Sequence, residues 1–319
     1  MKLRRLAPSP VISAPVAGST SHRFWTTALV LALLLLFASA LAVYLERGGS
    51  SGGTHEALSE DERWALAATY SPVLRFSIDE RTFPTDVGYF IERSHLIDRS
   101  RAIIAEHPRS DDLSLAGLGM YLDNYLGSGD DLGVITAYEN DISIVQSTVY
   151  IRIVEGDGRV ALQYWMFYVF NLGTFNSHEG DWEMVQVVPD REDLSLHSVV
   201  LSQHHGYGQV DWAKGVEAEN GTHPVVIVSC GSHANYFPGT MNILAGDIID
   251  GSGERWEPQD YVLIPIGEEW SGHVPEWLLF QGHWGEPGGI WAGILGTEGP
   301  RGPMYREDGL MWDALSWGS

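Results

Sequence analysis

The sequence predicts a mainly β fold, an antiparallel β-sandwich with short helices in its N-terminal part, preceded by one transmembrane helix. Three observations carry this reading. From about residue 143 onward, short runs rich in Val, Ile, Tyr and Phe succeed one another between Gly, Pro, Asp and Asn, with no long helical segment between them. Before that point the chain holds short segments of helical pattern. Ahead of both stands an uncharged run at residues 24–44.

At 1.5 Å per residue that run reaches about 30 Å, the thickness of a bilayer's hydrocarbon core. Lys2, Arg4, Arg5 and Arg23 precede it, while Glu46 and Arg47 follow. The positive-inside rule then places residues 1–23 in the cytoplasm and the C-terminal part outside, as a single-pass membrane protein. A cleaved signal peptide is the alternative, since Ala38-Ser39-Ala40 and Ala40-Leu41-Ala42 are small-residue cleavage sites. The run is longer than an ordinary signal h-region of about 7–15 residues, which favours the anchor; a secreted form stays open. Residues 45–58 contain Gly48-Gly49-Ser50-Ser51-Gly52-Gly53 and read as a flexible linker, leaving 59–319 as the folded domain.

Within that domain, Ser59 and Glu62 have the spacing of a capping box and open a helix running to Tyr70. After Pro72, the alternation in Val73-Leu74-Arg75-Phe76-Ser77 predicts a strand. Residues 86–97, 98–107 and 113–122 read as short helices. Residues 149–154 and 159–170 form a predicted hairpin across Gly156-Asp157-Gly158. Further strands are expected at 183–188, 198–204, 225–229 and 261–265. No internal repeat is present.

The chain carries a formal charge of −23. Five of its 19 Lys and Arg, but only one of its 42 Asp and Glu, lie in residues 1–50, so the remainder carries −27. A surface this acidic repels phosphate backbones and excludes nucleic acid as a partner, while it attracts divalent cations. Cys230 is the single cysteine, so no intrachain disulfide forms. Stability must come from the core, which 12 Trp, 13 Tyr and 10 Phe can supply.

One segment concentrates chemistry: Ser177-His178-Glu179-Gly180-Asp181-Trp182-Glu183. If a strand begins near Asp181, Asp181 and Glu183 share a face at its mouth, roughly 6–7 Å apart, and Trp182 points into the core. At an effective dielectric near 20, two such carboxylates repel by about 2–3 kcal/mol. A raised pKa, a basic partner or a bound cation must relieve this. His178, turned by Gly180, can approach the same point, and the set is a candidate divalent-cation site. The ordinary alternative is a pair of solvated carboxylates with His178 capping a turn. Ser202 and His204 end one predicted strand; Ser232 and His233 follow another. Strand ends cluster in sandwiches, so these four are candidates for the same ligand pocket. Cys230 reads as packing rather than as a nucleophile.

The run Tyr164-Trp165-Met166-Phe167-Tyr168 through Asn171, His178-Glu179-Gly180-Asp181-Trp182-Glu183, Ser202 with His204, and Gly231-Ser232-His233-Ala234 together resemble the vacuolar protein sorting-associated protein 62 family. Tyr70-Ser71-Pro72 through Phe76 resembles that family's opening, and Gly299-Pro300-Arg301-Gly302-Pro303 its close, so the likeness covers most of 60–305. The central segment is also similar to the Gly-His-Arg-His-Asp-Trp-Glu motif of the necrosis- and ethylene-inducing-like cytolysins. That resemblance implies a β-sandwich holding Ca²⁺ or Mg²⁺ rather than Zn²⁺, with His178, Asp181 and Glu183 on the ligand positions and Asn171 nearest the remaining one. It implies glycan or lipid-headgroup recognition. It does not imply toxicity, because the cytolysins' disulfide is missing here. Three functions follow as expectations: a membrane-anchored, cation-dependent binding module, a metal-dependent hydrolase using His204 or His233, or a non-catalytic trafficking adaptor.

Overall fold

The computed structural model describes residues 57–317, apart from 128–130, 157, 174–175, 191–192, 194–195, 205, 212–214, 242–245 and 288–297. The predicted anchor at 24–44, the segment 1–23 and nearly all of the linker lie outside the described residues. Among the described residues no helix is long and apolar enough to cross a membrane.

The strands that organise the domain are, in chain order, β1 (Val73–Phe76), β2 (Ser94–Asp98), β3 (Ile103–Ala105), β4 (Met120–Asn124), β5 (Thr148–Gly156), β6 (Arg159–Gly173), β7 (Asn176–Pro189), β8 (Leu196–Gln203), β9 (Gly206–Asp211), β10 (His223–Val228) and β11 (Val262–Pro265). Between them run α1 (Glu60–Thr69), α2 (Val87–Glu92), α3 (Ser110–Leu115) and α4 (Leu132–Ile142). A central six-stranded sheet has the order β11-β5-β6-β7-β8-β9. Strands β5 to β9 pair antiparallel, while β11 runs parallel to β5.

Both faces of this sheet are covered. On one, Leu162, Tyr164, Met166, Tyr168, Val185 and Val187 pack against Leu74 and Phe76 of β1 and Val226 and Val228 of β10. Strands β1 and β10 are themselves parallel neighbours. On the other face, Trp165, Phe167, Trp182 and Met184 pack against Leu96 of β2, Leu122 of β4 and Trp284. The near-continuous apolar run along β6 is the sequence signature of burial on two sides. The mainly β expectation holds. The purely antiparallel sandwich does not describe the molecule: its sheets are mixed, and the central one lies between two apolar layers.

Local chemistry accounts for the elements that position the site. The Ser59 hydroxyl accepts from the Glu62 amide at 3.3 Å and the Glu62 carboxylate accepts from the Ser59 amide at 2.8 Å, so the expected capping box opens α1. Three helical expectations are corrected. Residues 98–107 are a hairpin turn and β3, because Asp98 Oδ1 accepts from the amides of Ser100 (2.8 Å) and Ala102 (3.0 Å), and the β-branched Ile103-Ile104 continue as strand. Residues 113–122 hold only the end of α3. Gly119, at φ +85°, turns the chain into β4. The expected helix at 86–97 likewise ends at Glu92, with β2 starting at Ser94.

Candidate functional site

Strand β7 begins at Asn176, so the His178–Glu183 segment lies within a long strand rather than at its mouth. Gly180 sets the local geometry. Its φ of +56° interrupts the alternation of side chains: Glu179 turns to the β4 layer, where its Oε2 accepts from the Asn124 amide at 2.9 Å. Asp181 and Glu183 instead share the face of Val185 and Val187, as the alternation predicts, and Trp182 enters the opposite core. A Cβ on residue 180 would sit 2.4 Å from the Trp284 carbonyl oxygen, so only glycine fits. Strand β6 makes the matching irregularity. Tyr168 and Phe170 fall in opposite cores, which brings Asn171 beside Asp181.

Asp181 and Glu183 are each 2% exposed. Asp181 Oδ2 accepts from His233 Nδ1 at 3.0 Å and from Asn171 Nδ2 at 3.3 Å, and Oδ1 accepts from the Trp182 amide at 2.9 Å. Burial works to raise the Asp181 pKa, but the hydrogen bond and charge of His233 hold it below the usual carboxylate value. Glu183 has no such partner. The Ser202 hydroxyl donates to its Oε2, and the Arg306 guanidinium stands 3.9 Å from Oε1. Burial, and then the neighbouring charge of Asp181, push Glu183 up to about 8. The repulsion expected from the spacing is thus relieved unequally: Asp181 keeps its charge, and Glu183 holds a proton at neutral pH.

His178 is buried, and its Nδ1 lies 2.8 Å from the Gly180 carbonyl oxygen and 3.1 Å from that of Glu179. A nitrogen facing two carbonyls must carry the proton, which leaves Nε2 with a lone pair in the neutral ring. Burial lowers the His178 pKa, against the opposing charge of Asp181, and favours that neutral form. His233 has the opposite setting. It is fully buried, with Nε2 2.9 Å from the Thr82 hydroxyl and 3.6 Å from Glu80 Oε1. Its ring stacks on Tyr168 at 3.9 Å with 3° between planes. Burial pulls its pKa down, but Glu80 and Asp181 raise it overall to about 9.

His204 Nε2 is 2.7 Å from Asp247 Oδ2, and that carboxylate also accepts from the hydroxyls of Ser232 (2.8 Å) and Tyr236 (2.5 Å). The Asp247 hydrogen bond raises the His204 pKa. Of the four expected pocket residues, His204 alone reaches the surface, with its side chain 33% exposed. Ser202, Ser232 and His233 are buried and bond within the network. The structure bonds Asn171 and His233 to Asp181 and Ser202 to the neighbouring Glu183, holds His178 on the Glu179 and Gly180 carbonyls, and sets His204 with Ser232 beside Asp247. Sequence reasoning missed Glu80, Asp247 and Arg306, which come from three distant loops and turns. No sequence signal marks them, since Glu80 and Arg306 also have local partners in Arg81, Thr82 and Glu307. Among the described residues no three His, Cys, Asp or Glu side chains converge closely enough to hold a metal ion.

The fold and cluster define a β-rich domain built around a buried acid–imidazole network. No family model matches the chain. In sequence it is 25% identical, over 307 aligned residues, to vacuolar protein sorting-associated protein 62 of Saccharomyces cerevisiae, covering 74% of this chain and 64% of that one. It is 22% identical, over 309, to the yeast vacuolar protein sorting-associated protein TDA6, covering 75% and 65%. The chain thus spans about 65% of the length of the curated relatives it matches. These relatives show the resemblance read from the motifs. Among solved structures it is similar to one described as a toxin fold for microbial attack and plant defense, with a TM-score of 0.42, 14% identity and coverage of 84% and 95%. It is also similar to NLPPya solved in complex with mannosamine (0.36, 15%, 72% and 82%) and to Necrosis and Ethylene inducing Protein 2 from the agent of cocoa's Witches Broom disease (0.33, 13%, 69% and 81%). Likenesses of this degree assign no ligand to the present chain.

Proposed function

We propose that the domain is a membrane-tethered, extracytoplasmic binding module that takes a polar ligand, a glycan or lipid headgroup, together with a divalent cation. The observation that carries this is the buried pair Asp181–Glu183, in which His233 and Asn171 bond Asp181 while Glu183 has the Ser202 hydroxyl and a guanidinium 3.9 Å away. As they stand these side chains are not gathered closely enough for a metal, so an oxygen-preferring ion such as Ca²⁺ or Mg²⁺ would have to draw them together. The two carboxylates would supply oxygens and the Nε2 lone pair of a neutral His178 a nitrogen, while Asn171 would have to turn over, since its Nδ2 faces Asp181 and its Oδ1 accepts from the Gly173 amide. A cation there would neutralise Glu183 in place of its proton and accept oxygens from a headgroup.

The chain's own residues supply the rest. His233 fixes Asp181 from behind, with Glu80 and Thr82 fixing His233. Ser202 orients Glu183 while its hydroxyl also accepts from the Met184 amide at 2.8 Å, and His204 stands at the exposed rim. A hydrolytic reading has one observation in its favour, the His204–Asp247 pair, in which a carboxylate orients a part-exposed imidazole as a general base requires. A glycan and lipid-headgroup array probed with and without Ca²⁺ tests the proposal, run beside generic ester and phosphodiester substrates. Retention that vanishes on chelation supports it. Turnover without retention favours hydrolysis, and neither would leave the adaptor.

A further inference from the structure

Between the chain leaving β1 and helix α4 lies a cleft of about 540 Å³ whose lining includes neither Asp181 nor Glu183. Its apolar wall is fixed, because Phe83 and Trp256 stack at 5.4 Å and 26° and Phe76 packs edge-on against both. Its charged lining is three carboxylates, Glu80, Glu139 and Glu254, against the single base Arg81. That base is committed: its Nε and Nη2 both bond the Glu139 carboxylate. Glu80 is closed as well, since its oxygens accept from the amides of Arg81, Thr82 and Gly231. Glu254 remains at the exposed rim, its carboxylate accepting only the Trp256 indole N–H at 3.2 Å among the described residues. Inside the cleft, Thr85 is 3% exposed and its buried hydroxyl has no hydrogen-bond partner among the described residues.

An orphaned buried hydroxyl costs free energy unless something completes it, and a rigid aromatic wall beside it suits a flat apolar group. The surplus of acid at the mouth, on a chain of net charge −23, selects for positive charge. We infer that this cleft is a binding site for a small organic cation, an ammonium group carried on an apolar ring. The ammonium would meet Glu254, the ring would lie along Phe83 and Trp256, and a hydroxyl on the far side of the ring would complete Thr85.

The test uses one skeleton in three charge states: tyramine (cation), 2-(4-hydroxyphenyl)ethanol (neutral) and 4-hydroxyphenylacetate (anion). Each is titrated calorimetrically into the full chain in detergent at physiological salt. Tyramine is expected to bind at least about ten-fold more tightly than the alcohol, with the acid weakest. Glu254→Gln should abolish the preference for tyramine over the alcohol, while Thr85→Val should weaken both. Glu60→Gln, on the exposed side of α1, removes the same charge elsewhere and should change nothing. Equal affinity for the three compounds, or tyramine binding unaffected by Glu254→Gln, overturns the inference. Glu254 is exposed, so that variant retains the fold, and circular dichroism verifies it.

Discussion

His233 is the keystone of the cluster, and replacing it with Ala gives a prediction that can be worked through. The side chain is fully buried between two carboxylates, 3.0 Å from Asp181 and 3.6 Å from Glu80. Both partners sit below their ordinary pKa despite burial, because the imidazolium stands beside them. Removing one member of a buried charge network leaves the others uncompensated, which costs about 3–5 kcal/mol. Loss of the Tyr168 stack adds roughly 0.5–1.5 kcal/mol. His233→Ala should therefore lose about 4–6 kcal/mol at pH 7, a large part of an ordinary domain's stability. The pH dependence has a definite sign. A carboxylate with a depressed folded pKa contributes stability above its unfolded pKa and loses it as pH falls through the folded value. That contribution vanishes in the variant, so the gap between the two proteins should narrow below about pH 4. Urea unfolding across pH 3–8 measures it. A loss under about 1 kcal/mol at pH 7 with an unchanged m-value would show that His233 is not the counter-ion of this pair.

Three further outcomes follow from particular contacts. Glu183 is raised from 4.5 to about 8 and His233 from 6.5 to about 9, so between those limits the folded state holds protons that the unfolded chain releases. Stability without cation should fall as pH rises from 5 to 9, and Glu183→Gln should remove the lower part of that fall in urea titrations. Gly180→Ala would put a methyl against the Trp284 carbonyl in a left-handed conformation; roughly 2–4 kcal/mol should be lost in thermal or urea unfolding. Ser59→Ala should cost about 1 kcal/mol through the lost capping box, visible as a lower unfolding midpoint with the cation response intact.

Much of the site was legible because it is local. Period-2 alternation puts Asp181 and Glu183 on one face and Trp182 on the other, and Gly180, at φ +56°, marks where that alternation breaks. The capping box at Ser59 and the β5–β6 hairpin were legible for the same reason: their partners are a few residues apart in sequence. What was hidden is non-local. Glu80, Asp247 and Arg306 reach the cluster from across the fold, and no spacing rule links Glu80 to His233, 153 positions later. The short segments at 98–107 and 113–122 misled because helical pattern over so few residues is weaker than the Asp98 turn and the positive-φ Gly119 that break it. The second apolar layer was present in the continuous hydrophobicity of β6, but a two-sheet sandwich has no use for it.

The central claim is that Asp181 and Glu183 hold a divalent cation, and bound metal measures this most directly. The full chain and its Asp181→Asn and Glu183→Gln variants are equilibrated with Ca²⁺ and Mg²⁺ at pH 8, separated from free ion and assayed by elemental analysis. The account predicts about one equivalent in the wild type and a strong loss in both variants, with less retained at pH 6 as Glu183 takes up its proton. Equal and near-zero metal in all three proteins would contradict it, leaving the carboxylate pair as a structural network closed by His233, Ser202 and Arg306.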